Sequence, residues 1–240
     1  MRDHFLFPAQ TNLELCAQAL AMGWRGGSLA RLNEAHHLAL RQVHSLVRGS
    51  GKPFIAHLVG TASLVLASGK PEDWVIGAML HALYQRRVPF ENGLAPAARR
   101  LVISDRFGAA VDDIVHRYTI LEDDSSGGWL EDSPLAQADV VTLRLADELE
   151  DLSGYALALH GRPGPEDPEE RGGFAWRRNA KLAMAPRLLA TAERLQLGGM
   201  ARGLTHWLDF SSYPEGLSAA RTGLTSSATL RPAPVGPENQ

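Results

Sequence analysis

A single cysteine, Cys16, among 240 residues excludes an internal disulfide, so the fold must rest on packing and hydrogen bonding. An excess of one charge is also missing. Lys and Arg number 24 against 27 Asp and Glu, and the formal charge of -3 supplies no global basic field to recruit nucleic acid or an anionic membrane. An anionic ligand would have to be held locally. No apolar run approaches the roughly 20 residues that cross a bilayer; LVGTASLVLA at 58–67 is among the longest. The amino-terminal MRDHFLFPAQ has no long apolar h-region, so no secretory signal is expected and the cytoplasm is the expected compartment. Alternating apolar and polar runs bounded by turn dipeptides are scarce as well, which argues against a sheet.

What is present is helical periodicity. Apolar residues recur at i, i+3, i+4 and i+7 through most of the first 210 positions, in a chain that is 45% hydrophobic. The punctuation predicts helices over about 11–22, from a Ser28 cap to Val47, over 53–68 closed by Gly69, and from Pro71-Glu72-Asp73 to Tyr84. Helices over 95–106 and 108–120 follow, then a long one from Leu135 to His160 with Val140, Leu143, Leu145, Leu149 and Leu152 on its buried face. The last two span 175–196 and 198–208. The fold class expected is all-α, a helical bundle in one domain over 1–210, followed by a flexible tail over 211–240 rich in Ser, Thr, Pro and Gly.

Nine histidines are present, and each taken singly reads as a surface or satisfied core residue. Two differ in their surroundings. His57 lies near the start of one predicted helix and His81 near the end of the next, so an antiparallel pairing sets two imidazoles side by side in the core. Asp147, in an otherwise apolar helix, is the carboxylate that would complete a mixed N and O metal site. The alternative for Asp147 is the edge of a buried face, capping or pairing with an arginine.

These residues sit in recognisable motifs. The stretch Arg48-Gly49-Ser50-Gly51-Lys52-Pro53-Phe54-Ile55-Ala56-His57 resembles the R-x-S-G-x-P-[YF]-x-x-H opening of the HD hydrolase domain of bifunctional (p)ppGpp synthetase/hydrolases. His81 follows at that family's interval, Arg106-Phe107-Gly108 with Val111, Ile114 and Val115 is similar to its R-F-G segment, and Leu145-Ala146-Asp147-Glu148-Leu149 resembles its L-A-D-R-L. The motifs cover roughly 48–150, with a fainter similarity to about 198. The resemblance implies an HD-type bundle with His57, His81 and Asp147 on a divalent ion (Mn, Zn or Fe) and a small phosphorylated molecule as substrate.

The departures are specific. The metal-binding Asp that follows the family's second histidine is Ala82 here, and the acidic Glu-Asp pair of the hydrolytic step is Gln85 and Arg86. A short insertion separates His81 from Phe107, and HLVGTAS and HALY look more like a group of stand-alone HD-related proteins of unknown function. Two imidazoles and one carboxylate still suffice for zinc with an open position. Arg48 corresponds to a family arginine near the nucleotide; Arg86, with Arg87, is a candidate for holding the anion, and Tyr84, on the face of His81, for orienting it or Asp147. His44 and Asp151 are possible supports around the ligands, and His116 could approach the cleft, although its simpler reading is the surface. Trp176, Arg177, Arg178 and Lys181 form a basic and aromatic cluster better explained by the acidic EDPEE before it than by RNA.

Two functions from different classes stand open: a metal-dependent phosphohydrolase, and a catalytically inactive HD-fold module that binds a ligand or a protein. Metal-assisted chemistry on a non-phosphate substrate is a third. If the family's site is retained, Ala82→Asp restores an oxygen ligand and raises Mn²⁺ affinity in calorimetric titration; an unchanged affinity counts against the placement of His81.

Overall fold

The computed structural model describes residues 3–48, 52–123, 137–153 and 174–208, with only the backbone for 174–182. The described residues are helical nearly throughout, as the periodicity predicts. In order they form α1 (Asn12–Ala21), α2 (Gly26–Val43), α3 (Phe54–Ala67), α4 (Glu72–Leu80), a single 3-10 turn (Glu91–Gly93), α5 (Pro96–Phe107), α6 (Ala109–Asp123), α7 (Ala138–Leu152), α8 (Phe174–Arg194) and α9 (Gly198–Leu208). The expected tail over 211–240 and the continuation of α7 beyond 153 lie outside the described residues.

Helix boundaries follow local chemistry. α1 opens on a capping box, with Thr11 Oγ1 accepting from the Glu14 N–H at 3.2 Å and the Glu14 carboxylate accepting from the Thr11 N–H at 3.3 Å. α2 begins before the expected Ser28 cap and stops at Val43 rather than Val47. The residues after it are drawn into backbone pairing instead: Phe54 N–H donates to Leu46 O at 3.0 Å and Arg48 N–H to Lys52 O at 2.8 Å, around a bridge between Val47 and Pro53. The chain thus doubles back and sets Arg48 and Lys52 beside the start of α3. α4 likewise ends at Leu80, with His81 as its C-cap, and 81–84 form turns instead of the expected last helical turn. α7 ends at Leu152 because Ser153 is extended (φ -65, ψ 107).

α3 is the axis of the core. Twelve of its residues are buried, from Phe54 to Leu66, so it is covered on every side rather than along one stripe. α4 and α7 pack most closely on it, with α1 and α2 completing the shell, and α6 packs on both α4 and α7. Arg31 of α2 fastens the start of α4: it ion-pairs with Glu72 and with Asp73 at 2.9 Å, and also donates to Phe107 O at 2.8 Å. No described helix is long and apolar enough to cross a membrane.

Close approaches of α3 and α4 to their neighbours depend on glycine. A Cβ at Gly77 of α4 would lie 2.5 Å from Ile114 Cγ2 of α6, and one at Gly60 of α3 would lie 2.6 Å from Glu150 Oε1 of α7. We expect Gly77→Ala to destabilise the protein by about 1–3 kcal/mol in urea unfolding, with a smaller loss when Ile114→Ala is already present. Full additivity of the two would show that the helices do not meet there.

Candidate metal centre

The burial of α3 leaves its one ionisable residue, His57, with no route to solvent. A buried imidazole must find partners within the protein, and α7 supplies them. Asp147 and Glu150, three residues apart, project from one face of α7 toward α3. His57 Nδ1 lies 2.6 Å from Glu150 Oε2, and His57 Nε2 lies 2.9 Å from Asp147 Oδ1. His81, at the end of α4, brings its ring to 5.4 Å from that of His57, with its Nε2 3.9 Å from the same Asp147 oxygen. His57, His81 and Asp147 therefore converge as the spacing of the motifs predicts. All three are buried, and their ligand atoms can hold a metal ion.

The tautomers are set by what each Nδ1 meets. Glu150 accepts from His57 Nδ1, and Ala78 O, 2.7 Å away, accepts from His81 Nδ1. Burial, seconded by the nearby Arg48 guanidinium, pushes the pKa of His57 down to about 3, and burial pushes that of His81 below its ordinary value. A neutral His57 that gives its one proton to Glu150, the nearer carboxylate, turns its Nε2 lone pair to Asp147 Oδ1, as His81 does when its Nδ1 donates to Ala78 O. His57 Nε2 is a buried atom without a hydrogen bond, despite its approach to that oxygen. Two acceptors so close repel unless a cation lies between them. Such a donor set, with each Nδ1 anchored to a carboxylate or carbonyl, could hold a metal ion.

Asp147 is held in turn. Its Oδ2 accepts from Tyr118 Oη at 2.7 Å and from Arg144 at 2.6 Å, and Arg144 reaches on to Glu148 at 2.7 Å. Burial pushes the Asp147 carboxyl upward, and the Arg144 charge opposes it and helps to hold the group below the usual carboxylate range. Tyr118, its ring 4.7 Å from that of His81, is pushed well up by burial and by Asp147. Around this core, Lys52 pairs with Glu150 Oε1 and Arg48 with both oxygens of Asp151, while Arg48 also lies over the Phe54 ring at 5.4 Å. His57, Glu150 and Asp151 form a second group with metal-ligand spacing, but Lys52 and Arg48 already occupy its carboxylates.

The supporting residues distribute unevenly. Asp151 does stand beside His57, 3.6 Å from Nδ1, and Arg48 stands beside Asp151 rather than free for substrate. Tyr84 does not reach Asp147: its hydroxyl donates to Asp112 at 2.6 Å, because the chain leaves the helix at Leu80 and turns it toward α6. Tyr118 does what was expected of Tyr84. Arg86 is exposed on a cleft of about 1010 Å³ between the α4–α5 connection and α6, which Tyr84, Arg87, Arg100 and His116 also line; none of the three candidate ligands does. His44 is exposed and far from use, its Nδ1 against Arg41 O at 3.1 Å. The side chains of Trp176, Arg177, Arg178 and Lys181 lie outside the described residues. Arg144 is the arginine partner that the alternative reading of Asp147 named only by type, whereas Tyr118, Glu150 and Lys52 were not foreseen, although Glu150 shares the helical face of Asp147 at a three-residue offset.

No family model and no curated protein matches the chain.

The neutral histidines make the metal-free protein acid-sensitive. The unfolded chain binds protons at the two imidazoles near their ordinary pKa of 6.5, whereas the folded chain resists them, His57 down to about 3. Stability is thus complete above about pH 6.5 and declines as pH falls below it, by up to about 1.4 kcal/mol per pH unit for each histidine. Urea midpoints in EDTA should fall between pH 7 and 5, less steeply in His81→Gln. Equal midpoints in the wild type would sink this account.

Proposed function

We propose that this chain is an HD-type protein that binds one divalent metal through His57, His81 and Asp147 and acts on a small phosphorylated molecule. The observation that carries the reading is the pair of anchored Nδ1 atoms, which leaves both Nε2 atoms bare toward one carboxylate oxygen. The motif resemblance adds the family and the substrate class. The residues present fit a metal: two nitrogens and an oxygen from three different helices or their ends, with the second Asp147 oxygen neutralised by Arg144. An ion held there would polarise a phosphoryl oxygen and acidify a water. The chain's own part is to fix the ligands, exclude bulk water from them, and offer Arg86 and Arg87 at the mouth of the neighbouring cleft to an anion.

One observation favours the other reading, an inactive module. The acidic pair that the hydrolases carry after the second histidine is replaced by Gln85, which bonds Glu122, and by exposed Arg86. Elemental analysis beside a phosphate-release screen separates the two. We expect about one equivalent of transition metal in the wild type and little in His81→Ala, with phosphate or pyrophosphate released from a nucleotide panel in Mn²⁺ or Zn²⁺. Metal without turnover leaves the inactive module; no metal in either protein, even after incubation with both ions, removes the site.

A further inference from the structure

We propose that Glu150 is the positioning residue for His57, held in place by Lys52 and admitted by Gly60, an arrangement that selects the Nδ1–H tautomer and aims Nε2 at Asp147. This inference rests on the metal-binding reading for its purpose but not for its test. Four observations carry it. Glu150 is 1% exposed, so its carboxylate is committed to protein partners. Its two oxygens are divided, Oε2 on His57 Nδ1 at 2.6 Å and Oε1 on Lys52 Nζ. Lys52 is itself 3% exposed, and the bridge between Val47 and Pro53 delivers it there. Finally, Gly60, one turn beyond His57 on α3, has no Cβ where the carboxylate lies; one would sit 2.6 Å from Oε1 and 2.7 Å from Cγ.

Of the two carboxylates on the ring, Glu150 is the nearer, at 2.6 Å against 2.9 Å for Asp147, so it draws the proton to Nδ1 and leaves Nε2 as the donor atom to an ion, raising the basicity of that nitrogen. Lys52 satisfies the second oxygen, which would otherwise be a buried acceptor without a partner, and so prevents the carboxylate from rotating away from His57. The second group of ligand spacing, His57 with Glu150 and Asp151, has its carboxylates already taken by the Lys52 amine and the Arg48 guanidinium. The arrangement therefore implies a site for one metal, not two.

The experiment compares the full chain with two double variants chosen so that no buried amine is stranded. Lys52→Met with Glu150→Gln keeps an acceptor oxygen for Nδ1, whereas Lys52→Met with Glu150→Ala removes it. Side-chain ¹⁵N spectra of the metal-free proteins read the His57 tautomer directly, and Zn²⁺ titration with a competing chelator reads affinity. We expect the Nδ1–H form in the wild type and the Gln variant. In the Ala variant we expect tautomer mixing and an affinity about 10- to 100-fold lower. An unchanged Nδ1–H signal in the Ala variant, or the Nε2–H form in the wild type, overturns the assignment of Glu150. Absence of Zn²⁺ binding throughout would instead defeat the metal reading, while the tautomer spectra still decide the role of Glu150. Gly60→Ala is the independent check, expected to mimic the Ala variant where it folds.

Discussion

The crossing of α3 and α7 is the constraint on which the rest depends. α3 is apolar almost throughout and enclosed on all sides, and a helix so placed can carry an imidazole only if a neighbour supplies complementary polar atoms. α7 does so with carboxylates at 147, 150 and 151, each of which then needs a partner of its own. The requirement spreads outward: Tyr118 and Arg144 answer Asp147, Lys52 answers Glu150, and Arg48 answers Asp151. The polar network is thus a consequence of burying one histidine, and it leaves that ring's Nε2 as the atom without a hydrogen bond.

The same logic relates the site to the open cleft beside it. The ligand cluster is closed, and its charges are matched within the protein, whereas the cleft between α5 and α6 is lined by exposed Arg86 and Arg87. Arg100 on its wall is bound on both sides by Asp112, so its guanidinium serves mainly to fix α5 against α6. Arg87 likewise reaches Glu122 at 3.3 Å, whereas the Arg86 side chain is exposed in the connection after His81.

Helices were legible in the sequence because the pattern that makes a helix amphipathic is local. The α1 and α5–α6 boundaries came close to the structure for that reason, each marked by a cap residue or by Gly108. His57, His81 and Asp147 were legible as well, since their helices are short and regular and their spacing carries over into three dimensions. Tyr84 was misplaced because three residues after His81 means the same face only if the helix continues, and α4 stops at Leu80. Tyr118 could not be chosen in its stead, for nothing local says which face of α6 meets α7. Lys52 lay inside a quoted motif but drew no role; its partner is 98 positions away, and its burial is a property of the folded chain alone.

That separation has a consequence for how the molecule comes together. The α3–α4 hairpin brings His57 and His81 into proximity through contacts 24 residues apart in the chain, but Glu150 and Asp151 reach His57, Lys52 and Arg48 across 93, 98 and 103 positions. Loop closure on that scale is paid late in folding, after local helix pairs have formed. An α3–α4 unit lacking α7 would hold its imidazoles in either tautomer and without a carboxylate between them. The candidate ligand set is therefore complete only once α7 has docked on α3, since Asp147 is part of it.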